Sequence, residues 1–128
     1  MIEGIGLDSS NYAAAKKMAD LIGLNHRANA TNIAHLETPK FHRVQVKESE
    51  KADFARYLED GDTKKLKAMQ FSLEKDPNAT PVRPDGNTVN LENEVMGMTT
   101  NSLNHQFVCN YLTDSLLRVK TAITGKNT

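Results

Sequence analysis

Two stretches of the chain repeat their apolar positions with the period of a helix, and the stretch between them does not. From about Ser9 to Leu36, Tyr12, Ala15, Ala19 and Ile22 fall on one a/d seam, and Ile33 and Leu36 rejoin it after polar positions at His26 and Asn29. Ala13, Ala14, Ala15, Ala19, Ala28, Ala30 and Ala34 make this a helix of small side chains, which allow a neighbour close. Asp8, Ser9 or Ser10 is placed to cap its start. Thr38-Pro39 ends it, because proline disfavours the α region in the residue before it.

The C-terminal pattern is longer. Val95, Ser102, Cys109, Leu116 and Ile123 are seven apart, and Met98, His105, Leu112 and Val119 fill the d positions between them. Asn90 is a suitable N-cap, Glu92 and Glu94 sit near the positive end of the helix dipole, and Gly125 supplies a stop. A helix from Leu91 to Thr124 would run roughly 50 Å at about 1.5 Å per residue, longer than a compact domain of this size is wide. At an a position, Cys109 reads as a buried small hydrophobe.

Between these helices the period changes. Phe54 and Leu58 suggest one short helix ended by Asp60-Gly61. Met69, Phe71 and Leu73 alternate as in a strand. Pro77, Pro81 and Pro84 then break the chain, and Asp85-Gly86-Asn87 reads as a turn. No strand pairing follows from this pattern. The expected architecture is mainly α: two long terminal helices forming an antiparallel coiled-coil-like hairpin, with a small irregular or partly β middle segment. The segments are residues 1–41, 42–89 and 90–128.

Charge sharpens this division. Residues 1–36, 37–94 and 95–128 hold 6, 22 and 4 of the Lys, Arg, Asp and Glu side chains, and Val95 to Thr113 holds none. An ordinary surface helix carries charge on its solvent face; this one offers Thr, Asn, Ser, Gln and His. Two readings fit: a polar but uncharged solvent face, or terminal segments covered by protein on more than one side, with the charged middle left in water. A seam interrupted by His26, Asn29, Ser102 and His105 has little to bury alone. The terminal segments are accordingly expected to be disordered in dilute monomer and to order on assembly. Formal net charge is +0, which gives no basic excess for nucleic acid and favours self-association. No stretch is long and apolar enough to enter a bilayer, and the Glu3 and Asp8 charges fit no cleaved leader.

The candidate chemistry is sparse. His26, His35, His42 and His105 stand at no recognised ligand spacing, and His35 and His42 flank a turn. One cysteine excludes a disulfide framework and a cysteine-rich zinc site. Asp85 to Asn90 has its glycine too early for a calcium loop, and Gly4-x-Gly6 lacks the third glycine of a phosphate loop. Asn29-Ala-Thr31 and Asn78-Ala-Thr80 match a glycosylation pattern that is common by chance. No nucleophile–base arrangement emerges. Neither an enzyme nor a cofactor is expected.

Residues Arg27 to Phe41 read Arg-Ala-Asn-Ala-Thr-Asn-Ile-Ala-His-Leu-Glu-Thr-Pro-Lys-Phe. This resembles the N-terminal signature of bacterial flagellar rod, hook and hook-associated proteins, in which an Asn-Ile-Ala-Asn helix runs into Thr-Pro-Gly-Tyr. Three positions depart from it: His35 replaces asparagine, Lys40 glycine and Phe41 tyrosine. A glycine there permits a positive φ that lysine adopts only at a cost, so the turn is expected to differ in detail. Asp85-Gly86-Asn87-Thr88-Val89-Asn90-Leu91-Glu92-Asn93-Glu94 is similar to the entry of the C-terminal helix in proximal rod proteins, and Asn101-x-Leu103-x-His105-Gln106 follows it, with His105 at a usual tyrosine. Lys120 to Gly125 is close to the family's ending. The short length and single small middle segment also resemble the proximal rod members.

The resemblance implies a subunit of the flagellar axial drive shaft, lying in the periplasmic rod of the basal body. It implies passage through the flagellar type III export apparatus without a cleaved signal. Partners would be other rod and basal-body proteins, met through the paired terminal helices, with no nucleic acid and no direct membrane insertion. The implied assembly residues are Ala28, Asn29, Asn32, Ile33, Ala34, Thr38, Pro39 and Phe41 in the signature, and Val95, Met98, Leu112, Leu116, Val119 and Ile123 on the C-terminal seam. Two readings stand beside this one. A helical binding module or export chaperone would grip partner helices and be stable alone. A small helical enzyme would need convergent polar groups in a pocket.

Overall fold

A computed structural model describes residues 10–125. The proposed caps Asp8 and Ser9, and Gly4 and Gly6, lie outside the described residues. Among those described, the elements in order are α1 (Ser10–Ala34), β1 (Val44–Val46), α2 (Glu48–Asp60), α3 (Thr63–Ala68), β2 (Leu73–Lys75) and α4 (Leu91–Thr124). The chain is mainly helical, with a long C-terminal helix and one small sheet.

The start and stop signals act where the sequence puts them. The Asn90 side chain accepts a hydrogen bond from the Asn93 N–H at the entry to α4, and Gly125 ends it in the left-handed conformation at φ +70°. Gly61 ends α2 in the same way, at φ +65°. Asp62 caps α3 by accepting from the Lys65 N–H, an element that the sequence pattern did not reveal. β1 was also unforeseen. It pairs antiparallel with β2 in the register Val44 to Lys75, Gln45 to Glu74 and Val46 to Leu73. The alternating Met69, Phe71 and Leu73 are not one strand: only Leu73 joins β2, while Met69 and Phe71 turn onto the core. Their apolar spacing serves packing under the sheet rather than a pleat.

That core is small. Leu21, Val46, Phe54 and Leu66 are buried together, with Ala14, Met18, Leu24 and Tyr57 packed around them, and Phe54 and Phe71 meet edge to face with ring centroids 5.6 Å apart. It lies between the middle segment and one face of α1. A neighbouring face of α1 packs on α4. A helix flanked on two sides needs small side chains, and Ala13, Ala15 and Ala28 are buried in it. Gly97 on α4 serves the same close approach, since a Cβ there would lie 3.1 Å from the Asn29 Nδ2.

In the single chain α4 exposes Val95, Met96, Leu103, Phe107, Leu116, Leu117 and Ile123. Cys109 is exposed as well, which corrects the expectation that it is buried. The buried row of α4 is Glu94, Asn101, Val108 and Ser115. Its seven-residue period is the predicted one, but its phase is one residue earlier. Three of those four side chains are polar, so a search for apolar repeats selects the neighbouring row, about 100° around the helix.

Local stability should follow this asymmetry, because exchange protection tracks burial of the local structure. In dilute monomer, amide hydrogen exchange is expected to be slow across Ala13–Asn32 and Glu94–Val108 and fast beyond Leu116. Uniformly fast exchange in both helices would restore the expectation that both order only on assembly.

Candidate functional site

The two sequence motifs lie about 50 residues apart in the chain, and the fold joins them. The turn that follows α1 is closed by Asn87, which is fully buried: its Nδ2 donates to the carbonyl oxygens of His35, Leu36 and Thr38 at 3.0, 3.1 and 2.7 Å. Its Oδ1 accepts from the Val89 N–H at 2.7 Å, and its own N–H donates to the Asp85 carboxylate at 3.0 Å. The Asp-Gly-Asn turn is therefore joined to the turn after the N-terminal helix by one residue.

The backbones of the two motifs then run side by side. The Lys40 N–H donates to the Asp85 carbonyl, and the Thr88 N–H to the Phe41 carbonyl, both at 3.0 Å. The Arg43 N–H donates to the Thr88 hydroxyl at 2.8 Å. Lys40 reaches this arrangement at φ +60°, the only non-glycine residue with positive φ among those described. The turn thus keeps the conformation that glycine favours, and lysine carries the steric cost. The other two departures from the family signature are coupled to each other. The His35 and Phe41 rings stack with centroids 4.5 Å apart and planes 14° apart, and a His35 ring nitrogen lies 3.2 Å from the Thr38 hydroxyl.

Two further asparagines complete the joint. Asn32 is buried, and its carboxamide pairs with β1 as a strand residue would: Nδ2 donates to the Val44 carbonyl and Oδ1 accepts from the Val44 N–H. Asn29 donates to Glu94 at 2.7 Å. Glu94, expected only to complement the helix dipole, is 1% exposed. Its second oxygen accepts from the Arg43 Nε at 2.9 Å, and Arg43 also bonds Asp76. Burial works against the Arg43 charge, but hydrogen bonds and charges from Glu94 and Asp76 outweigh it and raise its pKa above the ordinary arginine value. Farther along α4, Asn101 donates to the Ile22 carbonyl at 2.9 Å.

The expected assembly residues divide into two groups. Asn29, Asn32 and Ala28 are part of the internal joint, with Ile33 and Phe41 half-buried beside it, and Ala34, Thr38 and Pro39 exposed around the turn. On α4, Met98, Leu112 and Val119 are half-buried, whereas Val95, Leu116 and Ile123 face outward. Arg43, Asp76, Gly97 and Asn101 were missed. Asn101 had a detectable signal, lying seven residues from Glu94 and from Val108; Arg43 and Asp76 had none, because nothing local announces a bridge across 33 residues.

The polar groups of the joint are spent on one another. His26 and His105 line one cleft between α1 and α4, and the His105 ring lies 3.6 Å from the Cys109 sulfur. Among the described residues no group of three or more His, Cys, Asp or Glu is placed to share a metal ion, and no helix is long and apolar enough to cross a membrane. No family model matches the sequence, and no curated protein matches it.

Two stability measurements test the joint. Asn87→Ala removes the donor to the Leu36 carbonyl and the acceptor of the buried Val89 N–H, at roughly 1–3 kcal/mol for a lost buried partner. Its urea midpoint should fall by more than that of Asn90→Ala, which loses one exposed cap worth about 1 kcal/mol. Lys40→Gly should instead raise the melting temperature by about 2–4 °C, relief of left-handed strain exceeding the added chain entropy, while Lys40→Val should lower it.

Proposed function

We propose that the chain is a structural subunit of the proximal rod of the bacterial flagellar basal body. Its terminal helices form an antiparallel coiled-coil-like hairpin that packs into the axial drive shaft. The observation that carries this reading is the outer side of α4. It is free of charge from Val95 to Thr113, and it exposes Met96, Leu103 and Phe107 at 67, 64 and 75%. Contiguous exposed apolar surface of this kind marks an interaction site.

Three features add support. Contacts from Asn29 to Glu94, from Ile22 to Asn101, and the shared cleft of Ala15 with Val108 place later residues of α1 against earlier residues of α4, the order that a hairpin requires. The two motifs that resemble the rod family meet in one joint, so the resemblance covers a single structural unit rather than two separate likenesses. The polar groups Asn29, Asn32, Arg43, Asn87 and Glu94 bond one another and the backbone within the joint, which suits a structural part better than a catalyst. On this reading its partners are other rod and basal-body proteins, and it reaches the periplasm through the flagellar export apparatus without losing a leader.

The test is a substitution on the seam. Leu116 is 54% exposed in the single chain, so Leu116→Asp should leave the fold and export intact. At an interface it removes a burial worth about 1.5–3 kcal/mol and adds the desolvation of a charge, repeated in every copy. Rods and motility should be lost, while Asp114→Ala on the same helix should be mild. Rods that still form with Leu116→Asp would refute the seam as an assembly surface. Loss of the protein itself would tie this helix to the monomer's own core and favour the helical binding module.

A further inference from the structure

Where α1, α2 and α4 converge, they leave an open trough of about 270 Å³. Ala14, Met18, Leu58, Phe107, Val108 and Tyr111 form much of its wall, and none of the described residues that line it carries a charge. It is smaller than most small-molecule sites and has little polar surface to orient a ligand. Its shape suits a few aliphatic side chains.

The same chain displays such a row. Leu116, Val119 and Ile123 stand at i, i+3 and i+7 on α4, the anchor spacing of a helix that lies in an apolar groove. Leu116 and Ile123 are 54 and 76% exposed. The charges around the two surfaces are complementary. α2 carries five acidic and two basic residues, with Glu59 and Asp60 next to Leu58. The last turns of α4 carry Arg118 and Lys120 against one acid, Asp114.

The row cannot fill the trough of its own chain. Phe107, Val108 and Tyr111 of the trough and Leu116 to Ile123 belong to one continuous helix, whose straight axis keeps them about 1.5 Å apart per residue. The occupant must come from elsewhere, and a second copy supplies the required anchors and charges.

We propose that Leu116–Ile123 of one copy seats in the α1–α2–α4 trough of the next. This assigns the self-contact of the rod subunit and rests on that reading for its biological setting. The contact is head to tail, so each added copy leaves one free trough and one free tail, and the array extends without closing. A few anchors bury far less than the roughly 800 Å² per partner of a stable pair. Single contacts are therefore weak, and rows of copies reinforce them.

Two exposed positions allow a decisive mixture. Ile123→Asp disables the tail and Leu58→Glu disables the trough. Sedimentation of the full chain should show concentration-dependent oligomers for wild type. Each variant alone should associate about 10–100-fold more weakly, the scale of one lost apolar anchor, with unchanged circular dichroism. Mixed in equal amounts, the two variants should form a 1:1 pair and nothing larger, because the mixture retains one sound trough and one sound tail. Should Leu58→Glu misfold, Phe107→Glu at the exposed wall replaces it. No pair from the mixture where wild type associates, or wild type that stays monomeric, would overturn the proposal. If no pair forms yet Leu116→Asp still blocks rods, the rod reading stands and the trough does not hold a second copy. If the pair forms yet cells lacking the chain still build rods, the contact stands and the flagellar reading falls.

Discussion

The chain leaves α1 through a turn whose carbonyls need donors, and a residue half the chain away supplies one. The Asn87 carboxamide donates to three carbonyls of that turn while its oxygen and backbone N–H shape the turn that precedes α4. One buried side chain thus fixes the exit from the first helix against the approach to the last. The strained Lys40, the Phe41–Thr88 backbone bond and the Arg43 bridge are built around that alignment. A side chain without a carboxamide at residue 87 would take these partners from the Leu36 carbonyl and the buried Val89 N–H.

The buried row of α4 is mostly polar. It holds Glu94, Asn101, Val108 and Ser115, while large apolar side chains such as Met96, Leu103 and Phe107 stand exposed among Thr, Asn, Ser and Gln on the outer side. The inner row sets register: Glu94 meets Asn29 and Arg43, Asn101 meets one carbonyl, and a slip by one turn would leave them unpaired at a cost in desolvation. Such a row contributes more to uniqueness than to net stability. The exposed apolar side chains have the opposite character: they gain by burial against any well-shaped uncharged surface.

This arrangement bears on the small size of the internal core. Leu21, Val46, Phe54 and Leu66 cannot bury much area between them. Several large apolar side chains of α4 accordingly lie outside the chain's own core, Met96, Leu103 and Phe107 among them.

Several features were written locally. The caps at Asn90, Gly61 and Gly125 and the length of α4 follow from side chains that act within a turn or two, and their physics is complete in the sequence. The first helix stops at Ala34, ahead of the expected stop at Thr38-Pro39. The period of the α4 contact was also legible, because seven-residue spacing survives whatever occupies it. Its phase was not. Glu94 and Asn101 face inward because partners at Asn29, Arg43 and Ile22 receive them, and no count of apolar residues detects a hydrogen bond to a distant carbonyl. β1 is three residues long and exists through its pairing with β2 and with the Asn32 side chain. The sequence by itself thus determined α2 and the two terminal helices, since those energies are local. Only the tertiary structure decided which face of each helix is inside, because that choice is made by polar partners brought together across 50 or more residues.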